Sequence, residues 1–175
     1  MRILAISGSL RAASSNTSLL RAAQILAPPQ VEIVLETGLG ELPHFNPDLE
    51  DAMPATVAGF RARIGEADAL LISTPEYAHG VPGVLKNAFD WLVSGPEFVG
   101  KTVGLLNASP RSTYAQESLI ETLTVMSARM CGSYTVSLWG RKLDADGIAA
   151  DAELSALIRD ALDAFLAAAR ASHPR

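Results

Sequence analysis

Five short apolar runs, each followed by a segment with helical spacing, constrain this chain more than any other feature. The runs are 2–7 (RILAIS), 31–35 (VEIVL), 69–73 (ALLIS), 102–108 (TVGLLNA) and 134–139 (YTVSLW). Continuous apolar character over so few residues is what a strand buried on both faces requires. A first helix is expected from Ser15 or Asn16, both good caps, carrying Leu19, Leu20, Ala23 and Leu26 up to Pro28-Pro29. Val57, Phe60 and Ile64 mark a second, and Val84, Leu85, Ala88, Trp91 and Leu92 a third. Leu119, Leu123, Met126 and Met130 mark a fourth, with Cys131 at its end. Asp151 is expected to cap a long last helix through Leu154, Ile158, Leu162 and Phe165. Alternation of this kind predicts an α/β fold, a parallel sheet with helices on both faces.

Length and charge narrow the class. The 175 residues suit one domain, 1–175, and 49% hydrophobic content with 19% charged gives it a sizeable core. A net charge of −5 points away from nucleic acid and from anionic membranes. A single cysteine, Cys131, excludes an internal disulfide framework and any multi-cysteine metal site, and reads as a small apolar residue rather than a redox thiol. The first ten residues read as a strand rather than a signal peptide, and no apolar run approaches the ~20 residues that span a bilayer. A cytoplasmic protein is the expectation. Residues 37–54, with Pro43, Pro47 and Pro54, form a long irregular connection that is expected to border a site.

A parallel sheet binds ligands beyond the carboxyl ends of its strands, where the strand order reverses. The loops after the first, third and fourth runs are therefore decisive: GSLRAASSN, TPEYAHGVPG and SPRSTYAQ. The first combines Ser9, Ser14, Ser15, Asn16 and Thr17 with Arg11 and runs into a helix. Unpaired helix N–H groups, hydroxyls and a guanidinium suit an anion. Neither G-x-x-x-x-G-K-[ST] nor G-x-G-x-x-G is present, so a single terminal phosphate fits better than a triphosphate or a dinucleotide pyrophosphate. The plain alternative is a polar loop in which Ser15 and Asn16 only cap a helix.

The pair GSLRAASSN and TPEYAHGVPGVLKNAFDWLV, with LPHFNPDLE between them, resembles the NAD(P)H-dependent FMN reductase family, which includes chromate, quinone and azo-dye reductases. The resemblance implies a flavodoxin-like three-layer sandwich with strand order 2-1-3-4-5. It implies FMN held by its phosphate at Ser9, Arg11, Ser14, Ser15, Asn16 and Thr17. Pro75, Glu76, Tyr77, Ala78, His79 and Gly80 would wrap the isoalloxazine edge, with Ser109 of the third loop also in contact. NADPH or NADH would pass hydride through FMN to a small acceptor such as a quinone, free flavin, azo dye or chromate. No catalytic side chain and no metal is required, since the flavin carries the chemistry. A flavodoxin-type electron carrier and a non-catalytic FMN-binding protein are the alternatives on the same fold.

Pro75 and Pro82 stiffen the second loop, and Gly80 and Gly83 permit close approach. Tyr77 edges the flavin or is a half-buried aromatic; Glu76 and Tyr77 alternatively bond across a subunit contact. Lys86 and Asn87 read as helix-start structure. The chain departs from the family pattern at Ala78, where asparagine is usual, and at Ser109-Pro110-Arg111-Ser112-Thr113-Tyr114, where a glycine pair is usual. Arg111 is there a substrate or nucleotide contact, or a solvated charge. The resemblance also implies a homodimer or homotetramer. Phe89 and Trp91 of the third helix and Met126 and Met130 of the fourth are candidate surfaces, or else core.

Overall fold

The computed structural model describes residues 1–172. A five-stranded parallel sheet runs in the order β2-β1-β3-β4-β5, which is the expected one. Its strands are β1 (Arg2–Ser7), β2 (Glu32–Glu36), β3 (Ala69–Ser73), β4 (Thr102–Asn107) and β5 (Arg129–Thr135). The helices are α1 (Ser15–Leu26), α2 (Ala55–Glu66), α3 (Gly83–Asp90), α4 (Thr113–Val125), α5 (Ala145–Ala150) and α6 (Ala152–Ser172).

The strand pattern divides the core in two. Ile3 and Ala5 of β1 point into a cluster with Leu19, Leu20 and Ala23 of α1 and Ile158, Leu162 and Phe165 of α6. Leu4 and Ile6 point the other way, against Val57, Phe60 and Ile64 of α2, Leu85 and Phe89 of α3, and Leu119 and Leu123 of α4. The three central strands are buried almost throughout, which is why they read as unbroken apolar runs. At Gly104 the ring of Phe165 occupies the place of a side chain: a Cβ there would lie 2.6 Å from Phe165 Cδ2.

The expectations at the carboxyl-terminal edge need correction. The fourth helix ends at Val125, and Met130 and Cys131 belong to β5, five residues earlier than the expected strand. As an edge strand β5 is largely exposed, carries Gly132 at φ +109°, and shifts register against β4 between Val103 and Leu105, so it has no apolar run to announce it. Val136 and Leu138, which suggested a strand, instead continue the core after β5 has ended, while Trp139 lies exposed in the loop beyond. Burial pushes the Cys131 thiol up, so it keeps its proton, as a small packed residue would.

One further point differs from expectation. The short α5 precedes the last helix, and Asp151 caps the latter through its Oδ1, which accepts from Leu154 N at 3.0 Å. Phe89 and Trp91 are each 1% exposed and belong to the core, not to an interface. The irregular stretch contains two 3₁₀ turns, Leu39–Glu41 and Pro47–Leu49. It is latched to α3: Asn87 Nδ2 and Trp91 Nε1 both donate to Pro43 O, Asn87 Oδ1 accepts from Phe45 N at 2.7 Å, and the Phe45 and Trp91 rings meet edge-on. Asn87 and Lys86, which pairs with Asp90 one turn on, are structural.

Candidate active site

Strand order reverses between β1 and β3, and a cleft of about 440 Å³ opens beyond their carboxyl ends. Ser9, Arg11, Ser14, Ser15 and Asn16 line it from the β1–α1 loop, Pro75, Glu76 and Tyr77 from the β3–α3 loop, and Ser109 from the β4–α4 loop. The first two loops are held together by close backbone approach. Gly8 N donates to Ser73 O at 2.8 Å, and a Cβ on Gly8 would lie 2.2 Å from Thr74 Oγ1. Asn16 completes the joint: its Oδ1 accepts from the buried Ser73 hydroxyl at 2.9 Å.

The start of α1 is built for an anion. Ser14, in extended backbone, caps the helix by accepting from Thr17 N, and no acidic residue sits in the first turn. The N–H groups of Ser15 and Asn16, at the head of the helix, have no acceptor within it. With the dipole and the neighbouring Arg11 they are chemistry that suits an anion. The Thr17 hydroxyl is already engaged, sharing a 2.8 Å hydrogen bond with Ser7 Oγ, and it does not line the cleft.

The β3–α3 loop turns back on itself. Tyr77 N donates to Gly80 O at 3.1 Å and Gly80 N to Tyr77 O at 3.0 Å, so Ala78 and His79 form the corner of a tight turn. Both adopt left-handed backbone, φ 49° and 58°, a conformation that asparagine and glycine accept far more readily. Ala78, His79 and Gly80 therefore stand away from the cleft lining, while Pro75 to Tyr77 face it. Tyr77 is 56% exposed, more open than the half-buried aromatic of the sequence reading. The turn is braced against α4: Glu76 Oε2 accepts from Ala115 N at 2.9 Å, and the His79 ring stacks on Tyr114 at 4.2 Å.

A fourth wall was not foreseen. Leu138, Trp139, Gly140, Arg141 and Lys142 follow β5 and line the cleft, together with Ser112. The signal was a Trp-Gly-Arg-Lys run at a strand's carboxyl end, hidden because the strand was expected to include Trp139. The Arg111 guanidinium lies 4.5 Å from the centre of the Trp139 ring, so it is neither solvated alone nor aimed into the cleft lining.

Comparison with known proteins gives the family and the fold. Residues 1–140 match the family model described as NADPH-dependent FMN reductase. The chain belongs to that family. An NAD(P)H-dependent FMN reductase of Pseudomonas aeruginosa is 37% identical over 173 residues, covering 94% of this chain and 93% of the relative. A quinone reductase of Escherichia coli is 35% identical over 113 residues, 62% of this chain and 60% of its own. Among solved structures, FerB of Paracoccus denitrificans, a flavoenzyme NAD(P)H:(acceptor) oxidoreductase, superposes with a TM-score of 0.80 at 29% identity, covering 98% of each chain. The protein is an FMN-dependent oxidoreductase that draws on NAD(P)H. No described helix is long and apolar enough to cross a membrane.

Proposed function

We propose that FMN binds with its phosphate at the head of α1 and its ring system along Pro75 to Tyr77, and that the reductase passes electrons from NAD(P)H to a quinone or a flavin. One observation carries this reading: an acid-free helix start, capped by Ser14 yet open to the cleft, and a stiff turn line one cleft at the β1/β3 switch point. The names of the relatives, FMN reductase and quinone reductase, support the acceptor class. Azo dyes and chromate are acceptors of the same small-molecule kind.

In this reading FMN, when bound, would supply the hydride chemistry between the nicotinamide and the acceptor. The chain's own groups orient and seat it. Arg11 would offset the charge of the phosphate, and the Ser9 and Ser14 hydroxyls and the Ser15 and Asn16 N–H groups would donate to its oxygens. Pro75 to Tyr77 would hold backbone beside the ring edge, stiffened by the Tyr77–Gly80 turn behind them. Glu76 belongs to the scaffold, since its carboxylate is engaged on α4. Ser109 and Trp139 line the same cleft from the loops after β4 and β5. The unit extends over 1–175 and works in the cytoplasm as a homodimer or homotetramer.

The test is the visible spectrum of the purified protein. Flavin bands that bleach with NADPH under anaerobic conditions and return on addition of a quinone are expected. A protein that binds FMN but takes no hydride from either nicotinamide nucleotide would be an electron carrier or a simple flavin binder, and the reading would fall.

A further inference from the structure

The wall that follows β5 carries chemistry that the phosphate seat does not use. Trp139 lines the cleft and is 62% exposed, so the cleft presents an open aromatic plate. The other tryptophan, Trp91, is buried in the core. The Arg111 guanidinium lies 4.5 Å from the Trp139 ring centre and does not line the cleft, so it backs the indole from outside. A cation over an aromatic ring is held by the negative π face. It draws π density toward itself and leaves the other face less negative, a surface suited to an electron-rich or anionic ring.

The charge beside the plate has one sign. Lys142 lines the cleft just after Trp139 in the chain, and neither it nor Arg111 makes an ion pair among the described residues. Arg141 is held by Asp151 at 3.0 Å and by Glu153 at 3.2 Å. The one carboxylate lining the cleft, Glu76, is engaged on Ala115 N. In a chain of net charge −5 this local excess is particular to the wall. One plate and one unpaired lysine match a single planar ring with a single negative charge. A nicotinamide dinucleotide brings several phosphate charges and a second ring, for which the described residues of this wall offer no further unpaired cation.

We propose that Trp139, backed by Arg111 and flanked by Lys142, sets the acceptor specificity of this reductase. It favours planar aromatic acceptors that carry one anionic group, such as quinone sulfonates, quinone carboxylates or ionised hydroxyquinones, over neutral quinones of the same size. The proposal rests on the quinone-reductase reading of the cleft.

The experiment measures kcat and KM of the FMN-loaded enzyme for a naphthoquinone sulfonate and for menadione, a neutral naphthoquinone, in the wild type and in Lys142→Gln, Arg111→Gln, Trp139→Leu and Trp139→Phe. The decisive quantity is the sulfonate-to-menadione ratio of kcat/KM. Lys142→Gln is expected to lower that ratio about fivefold, through KM for the sulfonate, and Arg111→Gln about twofold. Added salt lowers the ratio in the wild type and has less effect in Lys142→Gln. Trp139→Leu raises KM for both quinones about fivefold, and Trp139→Phe, which keeps a ring, restores most of the loss. A second readout needs no turnover: because Trp91 is buried, an anthraquinone sulfonate added to the oxidised holoenzyme is expected to quench Trp139 fluorescence saturably, and more weakly in Lys142→Gln. Melting curves verify that the variants fold. An unchanged ratio in Lys142→Gln and Arg111→Gln overturns the proposal. So does a raised KM for NADPH with the ratio intact, which would give the wall to the nicotinamide nucleotide. FMN affinity lowered more than about twofold by Trp139→Leu also overturns it, since the plate would then belong to the flavin. A wild type that is bleached by NADPH but reduces neither quinone would overturn the quinone-reductase reading itself.

Discussion

The loops after β1 and β4 use nearly the same chemistry to different ends. Each leaves its strand through a polar residue that accepts from the backbone two residues on: Ser9 N donates to Ser7 Oγ, and Ser109 N to Asn107 Oδ1. Each then makes a Ser-x-Arg turn in which the serine hydroxyl accepts the arginine's backbone N–H, at 3.3 Å for Arg11 and 3.2 Å for Arg111. Each leads into a helix. The difference lies in who reaches the helix N-terminus. At α1 the cap is Ser14, and the space ahead of the first turn is left open to the cleft. At α4 Ser112 makes no side-chain cap bond, and the Glu76 carboxylate from the neighbouring loop accepts from Ala115 N instead. One helix start is offered to a ligand's negative charge, and the other is already supplied with a carboxylate of the protein. Two similar loops therefore end in one open helix start and one occupied by a carboxylate, and the neighbouring β3–α3 loop decides which.

The sharpest way to break the comparison is at the residue that follows each strand. Gly8→Ala places a methyl against Thr74, at the 2.2 Å given above, and is expected to cost about 3 kcal/mol of stability, the upper range for overpacking. Its counterpart Ala108→Gly should cost only about 1 kcal/mol, for one buried methyl and added backbone freedom. Chemical denaturation of both variants measures the gap, and equal costs would show that the two strand ends are equally tight.

The arginines come next. Arg11→Ala should weaken FMN binding by about 1.5–3 kcal/mol, the loss of charge-assisted hydrogen bonds to phosphate. Arg111→Ala should leave FMN affinity within about twofold, since that guanidinium lies over Trp139. Titration with FMN decides it; matched losses would mean that the β4–α4 loop also holds the phosphate.

At the caps the effects are smaller. Ser14→Ala should destabilise by about 1 kcal/mol and Ser112→Ala by less than about 0.5 kcal/mol, because only the first hydroxyl accepts a helix N–H. Thermal unfolding of the flavin-free proteins is the measurement, and a larger effect at Ser112 would contradict the cap assignment. Smallest of all, Glu76→Gln should cost about 0.3–1 kcal/mol by removing negative charge from the head of α4. It should also let inorganic phosphate stabilise the protein more than it does the wild type. A variant whose phosphate response matches the wild type would show that α4 is closed to anions for another reason.

The central strands were legible because burial on both faces demands uninterrupted apolar residues, and RILAIS, ALLIS and TVGLLN meet that demand. The hydroxyl-rich helix start was legible for a local reason as well, since capping is a matter of neighbours in the chain, although the cap is Ser14 and the expected caps Ser15 and Asn16 lie inside α1. The edge was not. β5 is half solvated and so carries no pattern, and its misplacement concealed the Trp139–Lys142 wall.

The amino-acid sequence alone determined the alternation of strand and helix, the sheet's parallel sense and the hydroxyl-rich helix start, because each depends on periodicity or on residues adjacent in the chain. Only the tertiary structure decided that Glu76 reaches Ala115 and that Arg111 lies over Trp139. Those contacts join loops far apart in sequence, and they form only once the sheet has set the distance between them.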